Sequence, residues 1–342
     1  MSTADLLRDA RAGDSAAFDT LTTPYRHELL VHNYRMLGTV EDAEDVLQET
    51  LLAAWRGLEG FQERASVRTW LYRIATNRCL NALRTIRRRP AKAWDMPIEP
   101  PPPTRLGEVP WIEPLPDAMV GGALPAPGPA ASYEQHASIS LAFVTALQLL
   151  PPRQVAVLIL CDAVGFPASE VAEILDATTQ SVHSALKRAR TALRQRQCGV
   201  DDAPPPAAGS RAEEELVERF ARAYEAADLD GIVALLTDDV FMAMPPIALE
   251  YVGRDLNARF LGMLFASGRR FTLRPTRVNG QPAFESYVRG DDGELRPNAL
   301  VVLGLAGSRI NALVRFEARH VGRSSGRAQP ISGWLDQGKS IH

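Results

Sequence analysis

Cysteine is scarce in this chain. Its three thiols, Cys79, Cys161 and Cys198, lie far apart and in no C-x-x-C spacing. That pattern supports neither a disulfide framework nor a zinc site, and the thiols read as reduced packing groups. Long apolar runs are missing as well: none approaches the roughly 18 residues that a membrane span requires. The stretch Met1 to Asp9 is amphipathic and acidic, unlike a secretory leader, so the expected location is cytoplasmic. Net charge is almost absent, at −3, and by itself says nothing about partners. With 342 residues, the chain has length for two or three domains.

What the chain does have is charge sorted into blocks. Residues 64 to 92 carry nine Arg and Lys and no Asp or Glu. Just upstream, Glu41-Asp42-Ala43-Glu44-Asp45-Val46-Leu47-Gln48-Glu49 is strongly acidic. The basic block also holds Trp70, Tyr72 and Asn77. Cations interleaved with aromatic rings suit a single nucleic-acid strand, because cations track phosphates and rings stack on unpaired bases. A solvated helix with Trp70 and Tyr72 in its core fits the same composition equally well.

The run Asp42 to Leu51, then Trp55, Phe61 and Arg68-Thr69-Trp70-Leu71-Tyr72 through Asn77, Arg78 and Asn81, resembles region 2 of the bacterial sigma-70 family of transcription initiation factors. The match is to the extracytoplasmic-function (ECF) group. The resemblance implies that the acidic helix docks a coiled coil of core RNA polymerase and that the basic helix holds the −10 promoter element.

Residues 3–90 read as helices only. Leu6, Leu7, Ala10, Phe18, Leu21 and Tyr25 recur at helical spacing, broken at Gly13-Asp14. A second helix is expected from about Pro24 to a stop at Gly38, with Thr39 capping a third that runs to about Gly57. A loop from Gly57 to Ser66 precedes the basic helix. Residues 91–137 are rich in proline, from Pro97 and the run Pro100 to Pro103 to Pro129. They read as an extended linker and not a domain. Within it Trp111-Ile112-Glu113-Pro114-Leu115-Pro116-Asp117 is an apolar island suited to docking. In the family that it resembles, the corresponding linker threads toward the polymerase active-site and RNA-exit channels.

Residues 138–198 turn helical again. A short helix over Ser169 to Leu175, a turn at Asp176 to Thr179 and a longer helix from Gln180 to about Gln195 make a helix-turn-helix. Val182, Leu186, Ala189 and Leu193 share its inner face, while Gln180, Ser184, Lys187, Arg188 and Thr191 share the outer one. Short polar groups at the N-terminal end reach base edges, and basic groups further along meet phosphates. Leu149-Leu150-Pro151-Pro152-Arg153-Gln154 and Glu170 to Leu175 resemble sigma region 4.

After a linker at 199–210, residues 211–320 combine helices with alternating strand patterns and a hairpin turn at Asp291-Asp292-Gly293. This stretch resembles the SnoaL-like branch of the NTF2-like cone fold; residues 321–342 form a tail. Asp238, Asp239, Glu250, Tyr287 and His320 are its candidate acid–base groups. Asp238 and Asp239 are expected just before the first strand, and His320 at the exposed end of the last. No spacing puts two titratable groups on inward positions together, and fold resemblance alone supplies no activity.

The expected architecture is multidomain: two all-α sigma domains, a region 2 helical bundle and a region 4 helix-turn-helix, plus an α+β NTF2-like cone domain. The expected function is a sigma subunit whose fused last domain regulates it, and not an enzyme. Core polymerase would be met by Asp42, Asp45, Gln48, Glu49 and Trp55. The −10 element would be met by Arg64, Arg68, Trp70, Arg73, Asn77, Arg78, Asn81 and Arg84, and the −35 element by Thr179, Gln180, Ser181, Ser184, Lys187 and Arg188. Partners are core polymerase, promoter DNA and a candidate small molecule in the cone; no metal or organic cofactor is required. The competing readings are a SnoaL-like enzyme, or a ligand sensor, fused to a DNA-binding repressor.

Overall fold

The computed structural model describes residues 2–86, 91–94, 99–108, 111–120, 139–197, 203–290 and 292–322. Arg87 to Arg89, Cys198, Asp291, the linker prolines Pro97, Pro110, Pro125, Pro127 and Pro129, and the tail with Ile331 and Trp334-Leu335 lie outside the described residues.

Four helices open the chain: α1 (Thr3–Arg11), α2 (Ser15–Leu37), α3 (Val40–Gly57) and α4 (Val67–Ile86). Asp14 caps α2 by accepting from the amides of Ala16 and Ala17. Pro24 therefore does not start a helix, as the sequence suggested, but sits inside α2. An interior proline costs about 3 kcal/mol; burial of Ala17, Phe18 and Leu21 before it and Leu29, Leu30 and Val31 after it offsets that. Gly38 closes α2 at φ +83°, where a side chain would be strained, and Thr39 caps α3 through the amide of Asp42.

A second helical group holds α6 (Leu141–Gln148), α7 (Pro152–Leu158) with a π-helical turn at Ile159–Ala163, α8 (Ala168–Ile174) and α9 (Thr179–Gln197). The last domain has α10 (Arg211–Glu225), α11 (Leu229–Val233), β2 (Leu236–Met244), β3 (Ile247–Val252) and α12 (Arg254–Ala266). Its remaining strands are β4 (Phe271–Val278), β5 (Gln281–Arg289), β6 (Leu295–Ala306) and β7 (Arg309–Glu317). With Arg105–Leu106 as β1, the sheet runs β1-β3-β2-β7-β6-β5-β4. It is not wholly antiparallel, since β2 and β7 run parallel.

The linker is more structured than its prolines suggested. Arg105–Leu106 is strand β1, paired antiparallel with β3, and Asp117–Val120 is a short helix, α5. The apolar island docks: Ile112 and Leu115 join one core with both helical groups. The same core takes in Val278, Ala283, Leu300, Val302 and Phe316, from the outer face of the sheet. The inner face closes a second core with α10 and α12, centred on Phe220, Tyr224, Phe260 and Phe284. One sheet therefore serves two cores, and its outer face is the floor on which the helical groups rest.

Candidate nucleic-acid and polymerase interface

On α3 the apolar stripe of Ala43, Val46, Leu47, Thr50 and Ala54 is buried. Asp45, Gln48 and Glu49 are exposed on the opposite side. Asp42 is half-buried and takes a hydrogen bond from the Thr39 hydroxyl, so it belongs to the cap more than to the open face. Trp55 is also half-buried, edge-on to Phe18 at 5.1 Å. At 3.6 residues per turn, Leu52 and Arg56 continue the face of Asp45 and Glu49, and Leu52 is 47% exposed. The sequence reading missed both, although i+3 and i+7 stepping from Glu49 reaches them. An exposed leucine ringed by charge has the character of a docking surface.

On α4, Trp70, Arg73, Asn77, Asn81 and Arg84 fall on one side. Arg73, Asn77, Asn81 and Arg84 are exposed, and Trp70 is half-buried, stacked on Phe61 at 4.6 Å. Arg64 is exposed in the preceding loop. Arg78 flanks the stripe and reaches back to Glu49 of α3 at 3.5 Å, so the acidic and basic surfaces meet there. Arg68 lies on the far side of the helix. Its guanidinium holds both oxygens of Glu28 at 3.0–3.1 Å and lies over the rings of Tyr72 and Phe166. At the next position, the Thr69 hydroxyl donates to Glu170 of α8 at 3.1 Å. The far side of α4 thus holds the helix-turn-helix, and the near side is open.

Behind this contact His32 is buried, with Nε2 2.9 Å from the Thr76 hydroxyl and its ring edge-on to Tyr72 at 5.0 Å. Burial, reinforced by nearby Arg35, pushes its pKa down to about 3. Burial likewise raises the Tyr72 hydroxyl and the Cys79 thiol.

On α9 the inner face is sealed by Val182, Leu186 and Ala189. Thr179, Gln180, Ser181, Ser184, Lys187 and Arg188 are all exposed. Thr178 caps the helix by accepting from the Ser181 amide at 3.2 Å. His183 is exposed beside Gln180 and extends the polar surface; the sequence reading passed over it.

The sheet domain rearranges the acid–base candidates. Asp238 and Asp239 lie within β2 and not before it, and Asp238 pairs with Arg254 at 2.8 Å. His320 is buried after β7, edge-on to Phe316, instead of exposed. Tyr287 donates to Glu285 at 2.9 Å, and the register that puts Phe284 in the inner core turns both to the outer face. Glu250 pairs with Arg105 at 2.6 Å on the rim. The space between α10, α12 and the sheet is about 20 Å³, lined by aromatic and aliphatic groups with Tyr224 and Arg315 its titratable ones. Burial pushes Tyr224 up to about 12. No general base faces that space among the described residues.

Asn279 is the residue that the sequence reading overlooked most. It and Gly280 form a two-residue hairpin between β4 and β5, with Asn279 at φ +55°, the geometry an Asn-Gly pair favours. The side chain is buried among three parts of the chain. Nδ2 donates to the Tyr34 hydroxyl at 2.8 Å and to the Ile139 carbonyl at 2.6 Å, and Oδ1 accepts from the Leu115 amide at 2.8 Å. The Tyr34 hydroxyl donates onward to the Glu113 carbonyl at 2.8 Å. The Glu113 carboxylate in turn accepts from the amide of Val40 at 3.1 Å, at the N-terminus of α3, where a negative charge is favoured. The dipeptide signal was present in the sequence; its role as a junction was not.

Among the described residues no helix is long and apolar enough to cross a membrane. Residues 21–89 match the family model for sigma-70 region 2, residues 140–193 that for sigma-70 region 4, and residues 217–333 that for a SnoaL-like domain. The chain is 40% identical over 325 residues to the ECF RNA polymerase sigma factor SigG of Mycobacterium tuberculosis, covering 90% of this chain and 82% of that protein. It is 30% identical over 278 residues to SigJ of the same species, covering 78% of this chain and 81% of SigJ. The crystal structure of SigJ superposes with a TM-score of 0.57 at 23% identity, over 85% of this chain and 93% of that one, and so shares the fold. A likeness to SigG that covers 90% of this chain places it in the ECF RNA polymerase sigma factor family, with a SnoaL-like domain fused behind the helical domains.

Proposed function

We propose that three exposed surfaces divide the work of initiation and that the sheet domain holds them in a closed arrangement. Residues 3–90 act as the region 2 unit. Asp45, Gln48 and Glu49, with Asp42 and Trp55 at the margins, dock core polymerase, while Trp70, Arg73, Asn77, Asn81 and Arg84, with Arg64 and Arg78, hold the opened −10 strand. Residues 138–198 act as the region 4 unit, with Thr179, Gln180, Ser181, Ser184, Lys187 and Arg188 reading the −35 element. Residues 91–137 and 199–210 connect these units to the domain at 211–320.

The observation that carries this reading is the placement of Asn279, whose one side chain is bonded to Tyr34 of α2, Leu115 of the linker and Ile139 at the entry to α6. A rigid bridge between the two DNA-reading units fixes their separation. In this arrangement α4 and α8 touch through Thr69 and Glu170. Positions −10 and −35 lie about 85 Å apart along a duplex at about 3.4 Å per base pair. The two units therefore have to part before both elements are held. We read the sheet domain as a regulator and not a catalyst, and a ligand in its cone is not part of the proposal, because about 20 Å³ holds one water molecule.

Asn279→Ala tests this reading. It leaves the buried Leu115 amide and Ile139 carbonyl without partners, at about 1–3 kcal/mol for each group stranded. The variant should bind core polymerase as before and reach half-maximal run-off transcription at a lower protein concentration. An unchanged concentration dependence would remove the bridge from the account.

A further inference from the structure

We propose that the β3 edge is a docking surface for an extended strand, that the described residues 92–94 and 99–107 of this chain are its resident occupant, and that this strap leaves the edge when the protein joins core polymerase. The proposal rests on the closed-form reading above.

The strap is held in the manner of an added edge strand, mostly by backbone groups that are blind to sequence. The amides of Lys92, Thr104 and Gly107 donate to the carbonyls of Pro246, Glu250 and Ala248 at 3.1, 2.9 and 2.7 Å. The Val252 amide donates back to the Thr104 hydroxyl at 2.9 Å, and the Tyr251 hydroxyl to the Pro101 carbonyl at 2.9 Å. Side chains add little at the strand itself. Leu106 is 68% exposed, and the Arg105 side chain that pairs with Glu250 is 65% exposed. Among the described residues of the strap, the large side chain that inserts is Trp94, edge-on to Phe260 at 6.2 Å. The following stretch is bound differently: Ile112 and Leu115 are 5% and 0% exposed and belong to the main core. The chain between the two helical groups thus has a sealed anchor at 111–117 and a strap at its rim that can peel.

Position gives the strap a consequence. Glu113 of the anchor caps α3, the helix whose open face is assigned to polymerase. Once α3 gives up Glu113, the strap sets how far the end of α4 can travel from the sheet. Five residues separate Ile86 from Lys92, a reach of about 20 Å. With the strap free, the connection runs from Ile86 to Trp111, a reach of about 80 Å. Leaving the edge also returns the linker to an extended chain that can enter the enzyme.

Hydrogen exchange on the full-length protein, alone and bound to core RNA polymerase, tests this without a known promoter. The amides of Thr104, Gly107 and Val252 should be protected in the free protein and exchange at least tenfold faster in the complex. Equal protection in both states overturns the proposal. A second arm locks the strap. Leu106 and Leu249 are paired across the two strands, so Leu106→Cys with Leu249→Cys should form a disulfide, with each single variant as control for pairing to the native thiols. The oxidised protein should still co-elute with core polymerase but give at least tenfold fewer run-off transcripts from total genomic DNA than the same protein after reduction. Equal yields from the oxidised and reduced forms overturn the proposal. If neither form programs the polymerase, the fault lies in the assigned surfaces, and the exchange comparison still decides the strap.

Discussion

The guanidinium of Arg68 lies 4.6 Å from the centre of the Phe166 ring, so a residue of the basic helix grips the turn that leads into the helix-turn-helix. Its pair to Glu28 of α2 holds the guanidinium in place, and the contact with Phe166 makes Arg68 one of the ties between the two DNA-reading units. Its place on the far side of α4 separates it from the stripe of Trp70, Asn77 and Asn81.

Arg68→Ala should therefore loosen the contact between units and leave strand binding intact. The cation–π contact with Phe166 crosses between the units and contributes about 0.5–2 kcal/mol, whereas the Glu28 pair lies within one unit, so the population with α8 detached should rise severalfold. Exchange of the α8 amides reads this directly. Arg68→Lys should recover only part of the effect, because an ammonium pairs with Glu28 as a point charge and does not stack on the ring as a planar guanidinium does. Unaltered α8 exchange in Arg68→Ala, with weakened binding to single-stranded DNA, would put Arg68 back among the DNA contacts.

Reversing Asp45 and Glu49 to Lys should abolish holoenzyme formation, since both are exposed and off the buried stripe of α3. Leu52→Ser should weaken it by about 1–2 kcal/mol for an apolar group that becomes buried on docking. Circular dichroism should be unchanged in both. Normal co-purification with core polymerase would remove α3 from the interface.

The two basic surfaces should respond differently. Gln180→Ala or Ser184→Ala should relax preference at the −35 element by about 1–3 kcal/mol for a lost base contact. Trp70→Ala or Asn77→Ala should leave duplex recognition alone and impair opening near −10, visible by permanganate footprinting. Normal opening in both variants would return Trp70, which stacks on Phe61, to a packing role.

His32 should make the helical core sensitive to acid. Its folded pKa of about 3 lies below the ordinary value of 6.5, so between those values the unfolded chain binds the extra proton. The stabilisation from a neutral His32 is complete above pH 6.5 and is lost as the pH falls toward 3, by up to about 1.4 kcal/mol per unit. Protonation would also set a second cation beside Arg35. In His32→Gln, which keeps a partner for Thr76, the dependence of unfolding free energy on pH between 6.5 and 5 should be flatter than in the natural chain. Parallel curves would show that His32 opens to solvent before it is protonated.

The helices that carry the proposed surfaces were legible because helix periodicity is local. The apolar stripe of α3, the Thr39 cap and the Gly38 stop fall within one stretch of sequence, and so does the separation of Val182 and Leu186 from Gln180 and Ser184. Single residues decided those features, so the sequence by itself determined the helical domains, the family resemblance and the faces open to partners. It did not determine what closes over them. Arg68 has the same composition-level meaning as Arg73, and only packing against Glu28 and Phe166 turns it inward. Strand β3 was missed because its six residues, Ile247–Val252, take their pairing from Met242 on one side and Arg105 on the other. His320 and Glu285 are buried by a sheet whose outer face rests on another domain's core. Asn279 announced a turn, but its bonds reach to Tyr34, 245 positions away in the chain. Contacts of that range are set by how completed elements dock, and only the tertiary structure could decide them.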